Sequence, residues 1–126
     1  VVSVSGDGCF LMNGQEIATA IQYSLKILFI VFDNGMYGTI RMHQERDYPS
    51  HVYGTTLKNP DFAALAKAYG LHAETVTSTR DIRGAIKRCI DQNSASLIHI
   101  KVDPEAITTR TTLTAIRNKA MSENKA

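Results

Sequence analysis

Asp7 stands between Gly6 and Gly8, just after the β-branched run of residues 1–5 and just before the apolar stretch of residues 9–12. Asn34 follows 27 positions later inside "DNGMYG" (33–38), at the end of a second apolar run, "KILFIVFD" (26–33). If the two runs are neighbouring strands, one strand-helix-strand unit brings this carboxylate and this carboxamide to the same rim of a sheet. Both are hard oxygen donors. Mg²⁺ wants oxygen ligands in a near-octahedral shell and usually completes it with substrate phosphates and water. One carboxylate, one carboxamide and one turn carbonyl leave room for two phosphate oxygens. The glycines beside Asp7 allow positive φ and close backbone approach, and the amides of Gly8 and Cys9 can point at an anion as a nest. A helix expected just after Asn34 adds a positive end. A diphosphate held through a metal suits this set. On spacing alone a second reading stands beside it, because Gly-Asp-Gly and Asp-Asn-Gly are both good turn sequences.

The elements that position these residues follow from pattern. Residues 1–5 and 26–33 read as short parallel strands, the second unbroken enough to be buried on both faces. Between them Asn13 with Glu16 resembles a capping box, and Ile17, Ile21 and Leu25 recur at helical spacing, which predicts one helix over roughly 14–25. "NPDFAALAKAYG" (59–70) predicts a helix with Asn59 as N-cap, Pro60 in the first position, Phe62, Leu65, Ala66 and Tyr69 as the buried stripe, and Gly70 at C′. "STRDIRGAIKRCIDQN" (78–93) repeats the logic through Ile82, Ala85, Ile86, Cys89 and Ile90, with strands at 72–76 and 96–102 on either side. Residues 43–59 have no period and read as a long functional or partner-packed loop. The polar tail after Ile116 is expected to fray. Alternation of this kind predicts an α/β fold, an open parallel sheet with helices on both faces and the ligand crevice beyond the carboxyl ends of the strands.

Composition bounds the rest. The 126 residues, 44% hydrophobic, suffice for one domain with one core. A net charge of +2 without a basic run or any Trp offers nothing specific to nucleic acid, and no apolar run is long enough to cross a bilayer. Cys9 and Cys89 lack metal or disulfide-framework spacing, so a reduced, cytoplasmic protein is expected. The chain opens on Val-Val without Met and reads as a piece of something longer.

"GDGCFLMNGQEIATAIQYSLKILFIVFDNGMYG" (6–38), together with "VFDNGMYGTIR" and "NPDFAALAKAYG", resembles thiamine diphosphate-dependent enzymes of the acetolactate synthase, benzoylformate decarboxylase and pyruvate oxidase group. The resemblance covers nearly the whole chain and implies the C-terminal, diphosphate-binding domain of a larger enzyme, a truncated thiamine diphosphate-binding fold. It implies Mg²⁺ bound by Asp7, the side-chain oxygen of Asn34 and the main-chain carbonyl of Met36. It also implies that Gly6, Gly8 and Cys9 line the diphosphate, with Tyr37 and Gly38 beside it. Asp33 replaces the first Asn of the family's usual pair, a position that is usually not a ligand.

The implied activity is decarboxylation or carboligation of a 2-oxo acid, with the hard chemistry carried by the cofactor. No catalytic residue is expected in this chain, since the activating Glu belongs to a pyrimidine-binding domain of a partner subunit. A homo-oligomer is therefore implied, and the isolated chain is expected to be inactive. Ile40, apolar where a pyruvate decarboxylase type would show Glu, leans toward carboligation. The alternatives are a non-catalytic metal-diphosphate module or a different thiamine diphosphate enzyme, a decarboxylase or oxidase. A phospho-accepting Asp domain is disfavoured, for want of further acids and a positioned Lys near Asp7. His43, His51, His72 and His99 form no triad with a Ser or Cys, and Cys89 reads as core.

Overall fold

The computed structural model describes residues 1–123. In chain order the elements are β1 (Val2–Gly6), α1 (Asp7–Asn13), a single 3₁₀ turn (Gly14–Glu16), α2 (Ile17–Gln22), β2 (Leu28–Asp33), α3 (Gly38–Asp47), α4 (Phe62–Ala68), β3 (His72–Val76), α5 (Thr79–Ile90), β4 (Ser96–Lys101) and α6 (Leu113–Glu123). They fall into two compact units, Val1–Asp33 with Asn59–Lys101, and Asn34–Lys58 with the chain from Val102.

The first unit is the sheet, four parallel strands in the order β1-β2-β4-β3. Alternation along the strands divides its faces. Val31, Leu97 and Ala73 point to one face, where Phe10, Ile17 and Ala20 from α1 and α2 and Phe62, Ala63 and Ala66 from α4 close the main core. α5 packs on β3 and β4 with Ala85 and Cys89 buried, on the face of the buried Val76, Ile98 and Ile100. The helices thus lie on both faces, as alternation predicted. Val2, Val4 and Phe32 stay 57, 63 and 40% exposed, so β2 is not buried on both faces as its unbroken apolar run suggests.

Local signals succeed where they serve burial and fail where side chains find other work. Gly70 takes φ +89° at C′, its N–H donating to Lys67 O and that of Leu71 to Ala66 O at 2.9 and 3.1 Å, a Schellman closure. The cap at the other end of α4 is Asp61 rather than Asn59, with Oδ1 accepting from the amides of Ala63 and Ala64 at 2.9 and 3.0 Å; Pro60 lies outside the helix, and Tyr69 is exposed. The helix expected over 14–25 forms as the 3₁₀ turn and the short α2, and a separate short helix, α1, precedes it. α1 starts immediately at Asp7, and the path resets at Gly14, where any Cβ would meet the Phe10 ring at 2.8 Å. Asn13 makes no capping bond, and Ile21 and Leu25 are 39 and 43% exposed.

The second unit holds α3, the helix expected after Asn34, which runs further than pattern suggested, and α6, which pattern did not reveal. Residues 43–47, expected in a loop, belong to α3, and the tail expected to fray after Ile116 belongs to α6; residues 124–126 lie outside the described range. Both helices are largely polar. What joins them is Glu45, fully buried, which accepts from Arg41 Nε at 3.1 Å, Ser50 N at 3.0 Å, and Arg117 Nε and an Arg117 terminal nitrogen at 2.7 and 2.6 Å. The Arg117 guanidinium is the chief cause that holds the Glu45 carboxyl at about 2 against the opposing effect of burial. The segment after α3 is tethered too: Gln44 Nε2 donates to Tyr53 O, and Thr55 Oγ1 to Gln44 Oε1, at 2.7 and 2.9 Å.

Candidate functional site

β1 ends at Gly6, whose extended backbone (φ −76°, ψ 163°) hands the chain straight into α1, so Asp7 occupies the first helical position. An acidic side chain is favoured there by the helix dipole. The positive φ that the glycines beside Asp7 allow is not used at this turn; in this unit it occurs at Ser24 and Gly70. Asp7 is 3% exposed. Its Oδ1 accepts from Gly8 N at 2.9 Å, and its Oδ2 accepts from Asn59 Nδ2 at 2.7 Å.

Asn59 Nδ2 also donates to Asp33 Oδ1 at 2.7 Å. Asp33 closes β2 directly opposite Lys101 in the β2–β4 register, and His99 lies two residues before Lys101 on the same face. Asp33 Oδ2 accepts from His99 Nε2 at 2.8 Å and from Lys101 Nζ at 2.5 Å. Burial alone would raise the Asp33 carboxyl. The donors Lys101, His99 and Asn59, with the Asp7 carboxyl as a further hydrogen-bonding neighbour, outweigh it and hold Asp33 well below the usual carboxylate range. His99 is 1% exposed and packs edge-on against Phe62, with ring centroids 5.0 Å apart. The sheet face that is apolar through Leu97 and Val31 therefore turns polar at its carboxyl end.

Asn34, Met36, Tyr37 and Gly38 lie in the second unit, on the approach to α3, which begins at Gly38 rather than just after Asn34. Asn34 Oδ1 accepts from Met36 N at 3.1 Å, and Gly35 turns the chain with φ +71°. Met36 bridges antiparallel to Thr56 through its neighbours, Leu57 N donating to Gly35 O and Tyr37 N to Thr55 O at 2.8 and 2.9 Å. A Cβ at Gly38 would meet Asn34 Nδ2 at 2.9 Å and Ile107 Cδ1 at 2.8 Å, so the carboxamide sits over a position only glycine leaves open. Carboxylate, carboxamide and main-chain carbonyl, with no thiol or imidazole among them, are the donors that suit Mg²⁺.

The sequence profile described as "Thiamine pyrophosphate enzyme, C-terminal TPP binding domain" matches residues 1–100. The chain belongs to this family. It is 36% identical over 105 residues to a probable acetolactate synthase large subunit of Methanocaldococcus jannaschii, covering 82% of this chain and 18% of that protein. It is 33% identical over 115 residues to a 3D-(3,5/4)-trihydroxycyclohexane-1,2-dione hydrolase of Bacillus subtilis, covering 86% and 18%. Among solved structures, benzoylformate decarboxylase from Polynucleobacter necessarius superposes with a TM-score of 0.76 at 28% identity, covering 83% of this chain and 20% of that one. The chain thus spans about a fifth of the length of these relatives. It is a TPP-binding C-terminal domain of acetolactate synthase-like type, in the expected α/β fold.

Within this family domain, Gly6, Asp7, Gly8 and Cys9 are contiguous at the β1–α1 junction, with Cys9 exposed, and Asn34, Met36, Tyr37 and Gly38 fall within the five residues that lead into the first position of α3. Pattern reading missed Lys101 and the link that Asn59 and His99 make to the two carboxylates. The signals existed: Asp61, a strong cap two residues after Asn59, makes Asn59 redundant as one, and His99 and Lys101 interrupt an otherwise apolar strand at alternate positions.

Proposed function

We propose that this chain binds thiamine diphosphate through Mg²⁺ within a larger acetolactate synthase-like enzyme that decarboxylates and ligates 2-oxo acids. The observation that carries the reading is Asp7, a buried carboxylate at the end of β1 held through both oxygens, in a chain of this family whose Asn34 carboxamide is seated over Gly38. Asp7, Asn34 Oδ1 and the Met36 carbonyl would hold the metal. Gly6, Gly8 and Cys9 would line the diphosphate, with Tyr37 and Gly38 beside it. When bound, thiamine diphosphate supplies the electron sink for loss of carbon dioxide from a 2-oxo acid. This chain's part is to bind and orient. Ile40, 56% exposed in the first turn of α3, presents an apolar side chain where a proton donor would favour simple decarboxylation, which leans the reading toward carboligation.

The 126 residues serve as one cofactor-binding domain. The activating Glu comes from a pyrimidine-binding domain of a partner subunit in a cytoplasmic homo-oligomer, so the chain alone turns over no 2-oxo acid. Among the described residues no helix is long and apolar enough to cross a membrane. A different thiamine diphosphate chemistry is the second reading, favoured by the likeness to a hydrolase and a decarboxylase. The test is calorimetry on the full-length protein. Asp7→Ala and Asn34→Ala should each abolish Mg²⁺-dependent thiamine diphosphate binding, a loss beyond the roughly 100-fold that removing an outer-shell partner costs. Unchanged affinity in both variants refutes the metal site.

A further inference from the structure

We infer that Asn59 is the positioning residue of the metal-binding carboxylate, an inference that rests on the reading of Asp7 as a Mg²⁺ ligand. One nitrogen, Asn59 Nδ2, faces Asp7 Oδ2 and Asp33 Oδ1, each at 2.7 Å. The amide orientation is settled by chemistry, because a carbonyl oxygen in that place would confront two acceptors. The two N–H bonds use the whole donor capacity of the amide on two carboxylates that themselves neighbour one another. Asn59 Oδ1 is left buried without a hydrogen-bond partner among the described residues. Buried polar atoms are nearly always paired, so an orphan marks a residue kept for something other than its own fit.

The geometry assigns a direction to this link. Asp33 is the fixed end, since His99 Nε2 and Lys101 Nζ on β4 hold its other oxygen. Asp7 is the oriented end, with Gly8 N on Oδ1 and Asn59 on Oδ2, which together set the plane of its carboxylate. Asn59 does this without adding charge. A lysine or arginine there would neutralise Asp7 and compete with a cation, whereas a carboxamide keeps the negative charge available. The residue is free for the task because Asp61 caps α4 in its stead.

A loosened carboxylate matters more to Mg²⁺, which demands near-ideal octahedral geometry, than to Ca²⁺, which accepts irregular shells. This supplies a readout that mere stability does not move. In the full-length protein, thiamine diphosphate affinity is measured by calorimetry with Mg²⁺ and separately with Ca²⁺ for the parent, Asn59→Ala and Asn59→Gln, with far-UV circular dichroism confirming the fold. Asn59→Ala should weaken Mg²⁺-supported binding by about 10- to 100-fold, as loss of an outer-shell partner does, and Ca²⁺-supported binding by a clearly smaller factor. Asn59→Gln, which keeps the amide but displaces it by one methylene, should show the same cation asymmetry and decides the matter if the Ala variant fails to fold. Equal losses with both cations, or no loss, in a parent that needs the metal overturn the positioning role alone. A parent that binds thiamine diphosphate equally with and without divalent cation overturns the metal reading and this inference with it.

Discussion

Replacing Glu45 by Gln isolates what holds α3 to α6. Glu45 is fully buried, and the side chains of its partners Arg41 and Arg117 are 15 and 28% exposed. Its carboxyl falls from an ordinary 4.5 to about 2 in the folded chain. At about 1.4 kcal/mol per pH unit this is roughly 3 kcal/mol of stability, reduced to about 2–3 kcal/mol by solvent screening at the partly exposed guanidinium groups. Because the folded value is depressed, the contribution is complete above pH 4.5 and is lost as pH falls toward 2; at pH 3 roughly half of it is left. Glu45→Gln keeps the shape and removes the charge. Urea unfolding of the chain, followed by far-UV circular dichroism at pH 7, 5 and 3, should show the variant about 2–3 kcal/mol less stable at the two higher values and the gap closing at the lowest. A gap below about 0.5 kcal/mol at pH 7, the size of an ordinary surface substitution, refutes the reasoning. So does a gap that stays constant with pH.

Other perturbations probe the remaining supports. Gly38→Ala puts a Cβ within 2.9 Å of Asn34 Nδ2 and 2.8 Å of Ile107 Cδ1, both at the ends of side chains that can give; the fold should survive while Mg²⁺-supported cofactor affinity drops by roughly tenfold or more, and calorimetry finding parental affinity counts against Asn34 as a ligand. Phe62, fully buried and edge-on to both Phe10 and His99, should cost about 3–5 kcal/mol on truncation to Ala, and a denaturation midpoint that hardly moves speaks against it as the centre of the core. Cys9 is exposed while Cys89 is 1% exposed with its thiol pushed up by burial, so a thiol reagent should titrate one cysteine in the native chain and the second only after unfolding; two fast thiols contradict this packing.

What the sequence by itself determined is whatever rests on local burial and backbone conformation. Strand β3 has the predicted bounds, and β4 ends one residue earlier than predicted; α5 runs where Ala85 and Cys89 mark a buried stripe, and Gly70 closes α4 because only glycine takes that φ cheaply. The chemistry-bearing residues were legible for the same reason, since Asp7 and Asp33 mark where apolar strands stop. Tertiary structure alone decided what those residues touch. Asn59 reads as a helix cap from its neighbours, and its bonds to Asp7 and Asp33 span 52 and 26 positions. Helices α3 and α6 carry little apolar periodicity because their anchor is an ion pair between residues 72 positions apart, Glu45 and Arg117. Periodicity in a sequence records which side of a helix excludes water. It carries no trace of a charge whose partner arrives from the far end of the chain.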